Sequence, residues 1–489
     1  MKFIFRYDKN NLKINYFLNI IRLLSAALVY LITTPYINRI LGVYYVGKVE
    51  YVNTIINYFL LFSALGIPMY AIREIAKCKN DEKKRAKVVL EMLIILAITT
   101  IVSYILLFLL IFNLGSFTDY RPLLVIMSIM VLLTNIGCEW YFQGIEEHLY
   151  ITIRQLTVRF VGVFLVYFCI EHKSDYELYA WFLVIISCGA NFLNFYLVLK
   201  LLFKNNISSL IKSVQIKHHI KPILTIFVAT ISVNIYLQLD YLLLGILTSD
   251  EYIGYYSVAN KLIRFVISFI TIIGVVSLPR LTHYFHTSKS DYFILIKKIF
   301  NYLIIISLPI SIMFFTYSEF LIDCIGGKDY SEAILTMKIL SPLCIVVSIA
   351  YILGFLVLYP QNKEKVYTYA VLISAILSLL FNYYAILNFQ QNGAAVIGVL
   401  AEIIAVVIMF WYISKNKLIP KLLDFNLFKI VLCGVAMLIF SNLLLHFVNN
   451  FWFTLLLIVV SYVVYAALLF ISKEKEVREL YNVLKNKMS

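Results

Sequence analysis

Charge is what this 489-residue chain has least of: Asp, Glu, Lys and Arg together make up 14% of it. A soluble globular domain carries about 25%. Acidic residues are the scarcer sign, 27 against 42 Lys and Arg, which leaves a formal net charge of +15. The chain also lacks any long polar segment, so no link is large enough for a separate soluble domain. Seven cysteines are present, Cys78, Cys138, Cys169, Cys188, Cys324, Cys344 and Cys433, and no two form a CxxC. That spacing excludes a disulfide framework and a thiolate metal site; these cysteines read as small apolar side chains. His283 and His286 make an H-x-x-H without a carboxylate or thiol beside it, and a solvated pair is expected. No small-residue cleavage site follows the first apolar run, which reads as a retained anchor and not a signal peptide.

What remains is hydrophobic, 62% of all residues. Apolar runs of helical length recur from end to end. They divide into about fourteen spans of roughly 20 residues, the length a helix needs to cross a hydrocarbon core of roughly 30 Å. The links between them are alternately rich and poor in Lys and Arg. The N-terminal tail (Lys2, Arg6, Lys9, Lys13), the links 73–87, 142–159, 200–221, 279–298, 363–365 and 415–429, and the C-terminal tail hold 33 of the 42 basic residues. The opposite links hold Arg39, Lys48, Arg121, Lys173 and Lys328. Positive charge stays on the cytoplasmic side, so both termini are expected in the cytoplasm. The +15 charge is thereby accounted for as orientation signal and affinity for anionic lipid, with no nucleic-acid partner.

The sequence repeats. Tyr45-Val46-Gly47 followed by Asn53 is echoed by Tyr252-Ile253-Gly254 followed by Asn260, each with a Leu-Gly upstream. Tyr141 to Glu146 is echoed by Tyr359 to Glu364, and Pro68 by Pro279. The offset spans six helices, so both copies keep one orientation. The expected fold is all-α: two parallel six-helix bundles, 1–205 and 206–415, and two additional helices with a cytoplasmic tail in 416–489. In such repeats the substrate path runs between the halves near the midplane.

Charges inside the spans mark that path, because each costs roughly 2.5–3.5 kcal/mol on insertion scales. Arg22, Lys261, Arg264 and Lys338 are the cationic candidates for substrate binding; Asp240 and Glu402 are the acidic ones. Glu91 and Glu50, near span ends, are expected to snorkel. Ser257, Lys261, Arg264 and Ser268 share one helix face, as do Asn15, Asn19 and Arg22. Thr230, Asn234 and Gln238 form a stripe, and so do Ser374, Ser378 and Asn382. Asn19, Asn53, Asn234, Gln238, Ser257 and Asn260 are the polar candidates for a cavity lining, with interhelical hydrogen bonding as the other reading. Four positive charges against two negative suit an anionic substrate, and Arg can grip phosphate bidentately.

At these residues the chain resembles the polysaccharide repeat-unit flippases, of O-antigen and capsule type, in the multidrug/oligosaccharidyl-lipid/polysaccharide exporter superfamily. The matching segments are Thr34 to Gly42 with Tyr45-Val46-Gly47, Leu65-Gly66-Ile67-Pro68 leading into Ala71 to Ala76, Glu139-Trp140-Tyr141-Phe142-Gln143-Gly144, Asp240 with Leu244-Gly245, and Ile253 to Ala259 with Lys261. They cover most of the chain and are densest in its N-terminal half. The resemblance implies a V-shaped pair of bundles in the bacterial inner membrane. It implies transport, not enzymatic catalysis, with no cofactor and no metal. The implied substrate is an undecaprenyl-pyrophosphate-linked oligosaccharide, carried from the cytoplasmic to the outer leaflet. Membrane potential or antiport of H+ or Na+ would drive it, with Asp240 and Glu402 as coupling candidates. It adds Arg39, in the first matching segment, to the substrate-binding set. A polysaccharide polymerase and chain-length machinery are the implied protein partners. Two other readings compete. A multidrug exporter would want an acidic cleft. A membrane-embedded glycan polymerase would need a catalytic outer domain, for which the outer link 317–330 has no room.

Overall fold

The computed structural model describes residues 12–113, 115–419, 422, 424–445, 450–479 and 481. Side chains at 12–13, 15–16, 19–20, 23, 27, 229–230, 232–237, 273 and 275–276 lie outside the description. Among the described residues every regular element is helical. Hydrocarbon offers no partner to backbone N–H and C=O groups, and a helix satisfies them within one segment. The chain divides into two compact units, Met1–Leu242 and Leu243–Ser489. The division falls inside a helix and not in the 200–221 link.

The first unit contains α1 (Leu12–Ala64), α2 (Ile67–Lys77), α3 (Glu82–Asn113), α4 (Arg121–Ile136), α5 (Glu139–Gly144), α6 (His148–Cys169), α7 (Tyr176–Cys188), α8 (Asn191–Lys204), α9 (Ile207–Lys212) and most of α10 (Lys217–Leu247). The second contains α11 (Asp250–Thr287), α12 (Lys289–Thr316), α13 (Ser318–Ile325), α14 (Ala333–Leu340), α15 (Leu343–Tyr351), a π-helical turn Ile352–Leu358, α16 (Glu364–Lys415), α17 (Phe425–Leu445) and α18 (Phe451–Ile471).

By length and composition, nine helices among the described residues are apolar enough to cross a membrane, or up to eleven if each of two bent pairs is one span. Two of the nine exceed 50 residues and are broken. Gly42 interrupts α1 with φ 74°, and Gln390 interrupts α16 with φ 46°. Unbroken, 53 residues would extend about 80 Å, far beyond a hydrocarbon core, so each break yields two passes. The fourteen spans expected from the sequence compare with these nine to eleven, counted among the described residues with each broken helix as one. Their outer faces are apolar: on α3, Ile98, Ile101, Ile105, Phe108 and Phe112 are all more than half exposed, a surface that suits lipid chains.

The repeat is visible in local architecture. In the first unit, the second half of α1 is followed, after a left-handed Gly66, by the 11-residue α2 with Pro68 in its first turn. In the second, Asp250–Ile272 is followed by Ser277–Thr287 at a bend of 43°, with Pro279 at the matching place. The segment Tyr141 to Glu146 and its counterpart Tyr359 to Glu364 both straddle tight turns, with Glu146 and Asn362 at positive φ.

The tight return within α16 requires glycine. A Cβ on Gly393 would lie 2.1 Å from the Ala385 carbonyl oxygen, a backbone atom that cannot swing aside. Gly115 faces open space. Gly393→Ala is therefore expected to cost about 1–3 kcal/mol, the usual penalty of overpacking. Gly115→Ala should stay within about 0.5 kcal/mol of the parent. Thermal unfolding of the detergent-solubilised protein, followed by loss of the monodisperse chromatographic peak, checks this; equal melting of the two variants would contradict it.

Candidate functional site

Arg22 sits in the first half of α1. It does not stand alone. α4 ends at Ile136, and buried Cys138 takes the left-handed conformation at φ 44°, unfavourable for any residue with a Cβ. That turn begins α5 at Glu139. Glu139 Oε1 accepts hydrogen bonds from Arg22 Nη1 at 2.6 Å and Gln143 Nε2 at 3.0 Å. Its other oxygen accepts from Gln155 Nε2 at 2.7 Å and lies 3.7 Å from Arg154 Nη2. Arg159 Nη1 donates to the Arg22 carbonyl at 2.7 Å and to Ser25 Oγ at 2.6 Å. Three guanidinium groups thus gather around one carboxylate, for a net charge of +2 in this group.

Arg154 is the extreme member. It is 5% exposed, and none of its three side-chain nitrogens has a hydrogen-bond partner. The ring of Tyr150, 5.5 Å from the guanidinium carbon, offers partial compensation. Five unused N–H directions on a buried, permanently charged group form a strong acceptor-seeking site. Phosphate oxygens are the chemistry that fills it best, through bidentate charge-assisted hydrogen bonds.

Arg154 and Arg159 were not foreseen as site residues. Sequence reading assigned both to a basic cytoplasmic link, 142–159. They lie instead in α6, which begins at His148. The signal was present: the apolar pattern of α6 runs without interruption past both arginines, and Glu139 opens one of the matching motif segments. Two acidic residues also differ from expectation. Glu91 and Glu50 do not snorkel; they are 2% and 5% exposed. Glu91 is held by other side chains, and Glu50 lies within electrostatic reach of Tyr30 and Tyr179. Lys48, counted with the outer links, is buried over the rings of Tyr44, Tyr120 and Tyr176 at 5.4–5.9 Å.

The other expected residues are dispersed. Arg39 is exposed on α1, 17 residues beyond Arg22, about 25 Å along the helix. Asn53 is half-buried in the second half of α1, and Gln238 and Asp240 are half-buried in α10, with Tyr58 in electrostatic reach of Asp240. Asn19 and Asn234, with Asn15 and Thr230 of the same stripes, have side chains outside the described residues.

In the second unit, Lys261 and Arg264 are half-buried on α11, and Arg264 Nε donates to Asn260 Oδ1 at 3.2 Å. Ser257 and Asn260 are buried at 2% and 3%. Lys338 closes α14 and lines a cavity of about 750 Å³ with Ser318, Glu319, Asp323 and Asn450, a lining that includes neither Lys261 nor Arg264. Glu402 is half-buried on α16, within electrostatic reach of Tyr367. Ser374, Ser378 and Asn382 are buried, and Asn382 Nδ2 donates to Ser378 Oγ at 3.0 Å.

Comparison with known proteins places these observations. Residues 12–285 match the family model described as polysaccharide biosynthesis protein. A putative O-antigen transporter of Escherichia coli (strain K12) is 23% identical over 397 residues, covering 80% of this chain and 93% of that protein. One from Shigella dysenteriae is 22% identical over 381 residues, covering 77% and 94%. Among solved structures, the lipid II flippase MurJ in an inward closed conformation aligns with a TM-score of 0.70 at 15% identity, over 94% of this chain and 99% of that one. An inward-facing multidrug resistance MATE family transporter of the MOP superfamily aligns at 0.59 and 11% identity, over 82% and 98%. Both likenesses are of fold.

Glu139 is the one carboxylate holding the three guanidinium groups. Removing one partner of a fully buried pair costs roughly 3–5 kcal/mol; for the 29% exposed Glu139 side chain the expected loss in Glu139→Gln is about 2 kcal/mol. Melting of the purified variant measures it, and an unchanged melting temperature would show that Glu139 does not hold the cluster.

Proposed function

Because this chain belongs to the polysaccharide biosynthesis protein family, we propose that it flips an undecaprenyl-pyrophosphate-linked oligosaccharide from the cytoplasmic to the outer leaflet of the bacterial inner membrane. The observation that carries this reading is the cluster of Arg22, Arg154 and Arg159 around Glu139, in which the buried Arg154 has guanidinium nitrogens without hydrogen-bond partners. A neutral or cationic cargo gains nothing from such a site. A pyrophosphate between a lipid and a sugar gains two or more charge-assisted hydrogen bonds. The related proteins are transporters by description, in line with transport and not catalysis.

In this reading Lys261, Arg264 and Lys338 on the second unit, and Arg39 on the first, provide further basic contacts along an alternating-access path. Asn53, Gln238, Ser257 and Asn260 belong to its polar lining, as do Asn19 and Asn234. Both termini are cytoplasmic, following the distribution of Lys and Arg. The membrane potential favours outward movement of each negative charge by about 2.3 kcal/mol per 100 mV. The same field returns an emptied cationic site. Asp240 and Glu402 are the candidates for coupling transport to H+ or Na+. Polymerase and chain-length proteins are the natural recipients of the product. A multidrug exporter shares the fold, but the four basic groups in the spans and the Arg154 site argue for an anionic cargo.

The test is leaflet accessibility. The protein is reconstituted in liposomes with a labelled undecaprenyl-pyrophosphate oligosaccharide, and exposure of the label to an external lectin is timed. Arg22→Gln is expected to slow exposure about 10- to 100-fold, the equivalent of one lost hydrogen bond to a charged group, and Arg264→Gln to slow it as well. Collapse of an imposed potential should slow the parent. Exposure no faster than in empty liposomes, across several glycans, would reject flipping. Exposure indifferent to both substitutions would reject the site.

A further inference from the structure

A second cluster of ligating side chains lies in the first unit, away from the arginines. The first turn of α10 carries His218 and His219, and α3 supplies Glu91. One ligand atom from each of the three lies within 4.8 Å of the others. Glu91 and His219 are each 2% exposed, while His218 is exposed. His219 Nε2 stands 3.1 Å from Glu91 Oε2. Two ligand atoms bound tetrahedrally to one zinc-sized ion stand about 3.3 Å apart.

The surroundings orient each ligand as a metal site requires. The Tyr70 hydroxyl lies 2.7 Å from His219 Nδ1, so the other ring nitrogen, Nε2, is the one turned to Glu91 Oε2, and an ion would enter between those two atoms in place of their hydrogen bond. An outer hydrogen bond of this kind fixes the tautomer and the ring plane of a ligating histidine. The backbone N–H of Gln215 donates to Glu91 Oε1 at 2.8 Å. Lys87, 3.9 Å away, approaches that same oxygen. Both contacts leave Oε2 as the ligand atom. The His218 ring, with its centroid 3.7 Å from that of His219, completes the set from the exposed side. That side is the entry path.

We propose that Glu91, His218 and His219 form a binding site for a divalent transition-metal ion, of which Zn2+ fits the ligand set best. Two neutral imidazoles and one carboxylate suit a borderline cation better than Mg2+ or Ca2+, which prefer oxygen alone. Three protein ligands leave a fourth position for water. The ion ties the first turn of α10 to α3 and, through Tyr70, to α2. It thereby fixes the end of the link that leads from α8 through α9 into α10. The ligands are 128 residues apart in sequence across the Glu91–His219 contact, which is why no motif announces them.

The experiment uses the full chain without a polyhistidine tag, stripped with a chelator in detergent and titrated with Co2+ as the probe. Expected is a visible d–d absorption band of a four- or five-coordinate ion, saturating at one equivalent and displaced by Zn2+. His218→Ala, at an exposed position, should fold as the parent and lose the band, as should Glu91→Gln. Tyr70→Phe should weaken binding about 10- to 100-fold through the outer hydrogen bond. His283→Ala, in the exposed H-x-x-H pair, should change nothing. Absence of saturable binding, or a band that persists in His218→Ala, overturns the assignment; loss of the band in His283→Ala shows surface adsorption and overturns it equally.

Discussion

Hydrocarbon accepts no hydrogen bond, and nearly everything in this protein depends on that. The constraint makes each apolar run a helix, limits the length of each pass and turns the longest helices back on themselves. Gly42 and Gln390 break helices that would otherwise extend well beyond a bilayer. Their left-handed backbones cost a little locally and restore the match between helix and hydrocarbon thickness. The same constraint sets the value of every charge the chain keeps inside.

Most of those charges are paired within reach. Glu139 illustrates the balance. A carboxylate in this environment is unfavourable without partners, and so are three arginines. Brought together they stabilise one another, but not to neutrality. The surplus of positive charge is concentrated on an Arg154 side chain with no hydrogen-bond acceptor among the described residues. The proposed phosphorylated cargo would resolve it. Function and instability have the same physical source here: the site attracts an anion because the protein does not satisfy it.

The buried Glu91 shows the other outcome. Its charge is met by Lys87 and a backbone N–H at one oxygen and by His219 at the other, so the carboxylate is held in one orientation with the second oxygen turned to the imidazole. Where the arginine cluster is cationic and suits phosphate, this cluster is assembled from metal-ligand types. Both lie in the first unit, and both depend on residues that different helices bring together.

The distribution of hydrophobic runs determined the all-α, membrane-spanning class and the internal repeat, because these follow from local length and periodicity. The sequence also identified Arg22, Arg264 and Lys261 as charges out of place. It could not identify their partners. Arg154 and Arg159 read as link residues because a helix that starts in polar sequence looks like a loop until packing is known. Glu50 and Glu91 read as snorkelling because depth along a span says nothing about which face a side chain occupies. Which side chains meet is set by helix packing over separations of more than 100 residues, as between Arg22 and Glu139 or Glu91 and His219. Only the tertiary structure decided those contacts, since the energy that fixes them belongs to pairs of helices and not to any one stretch of chain.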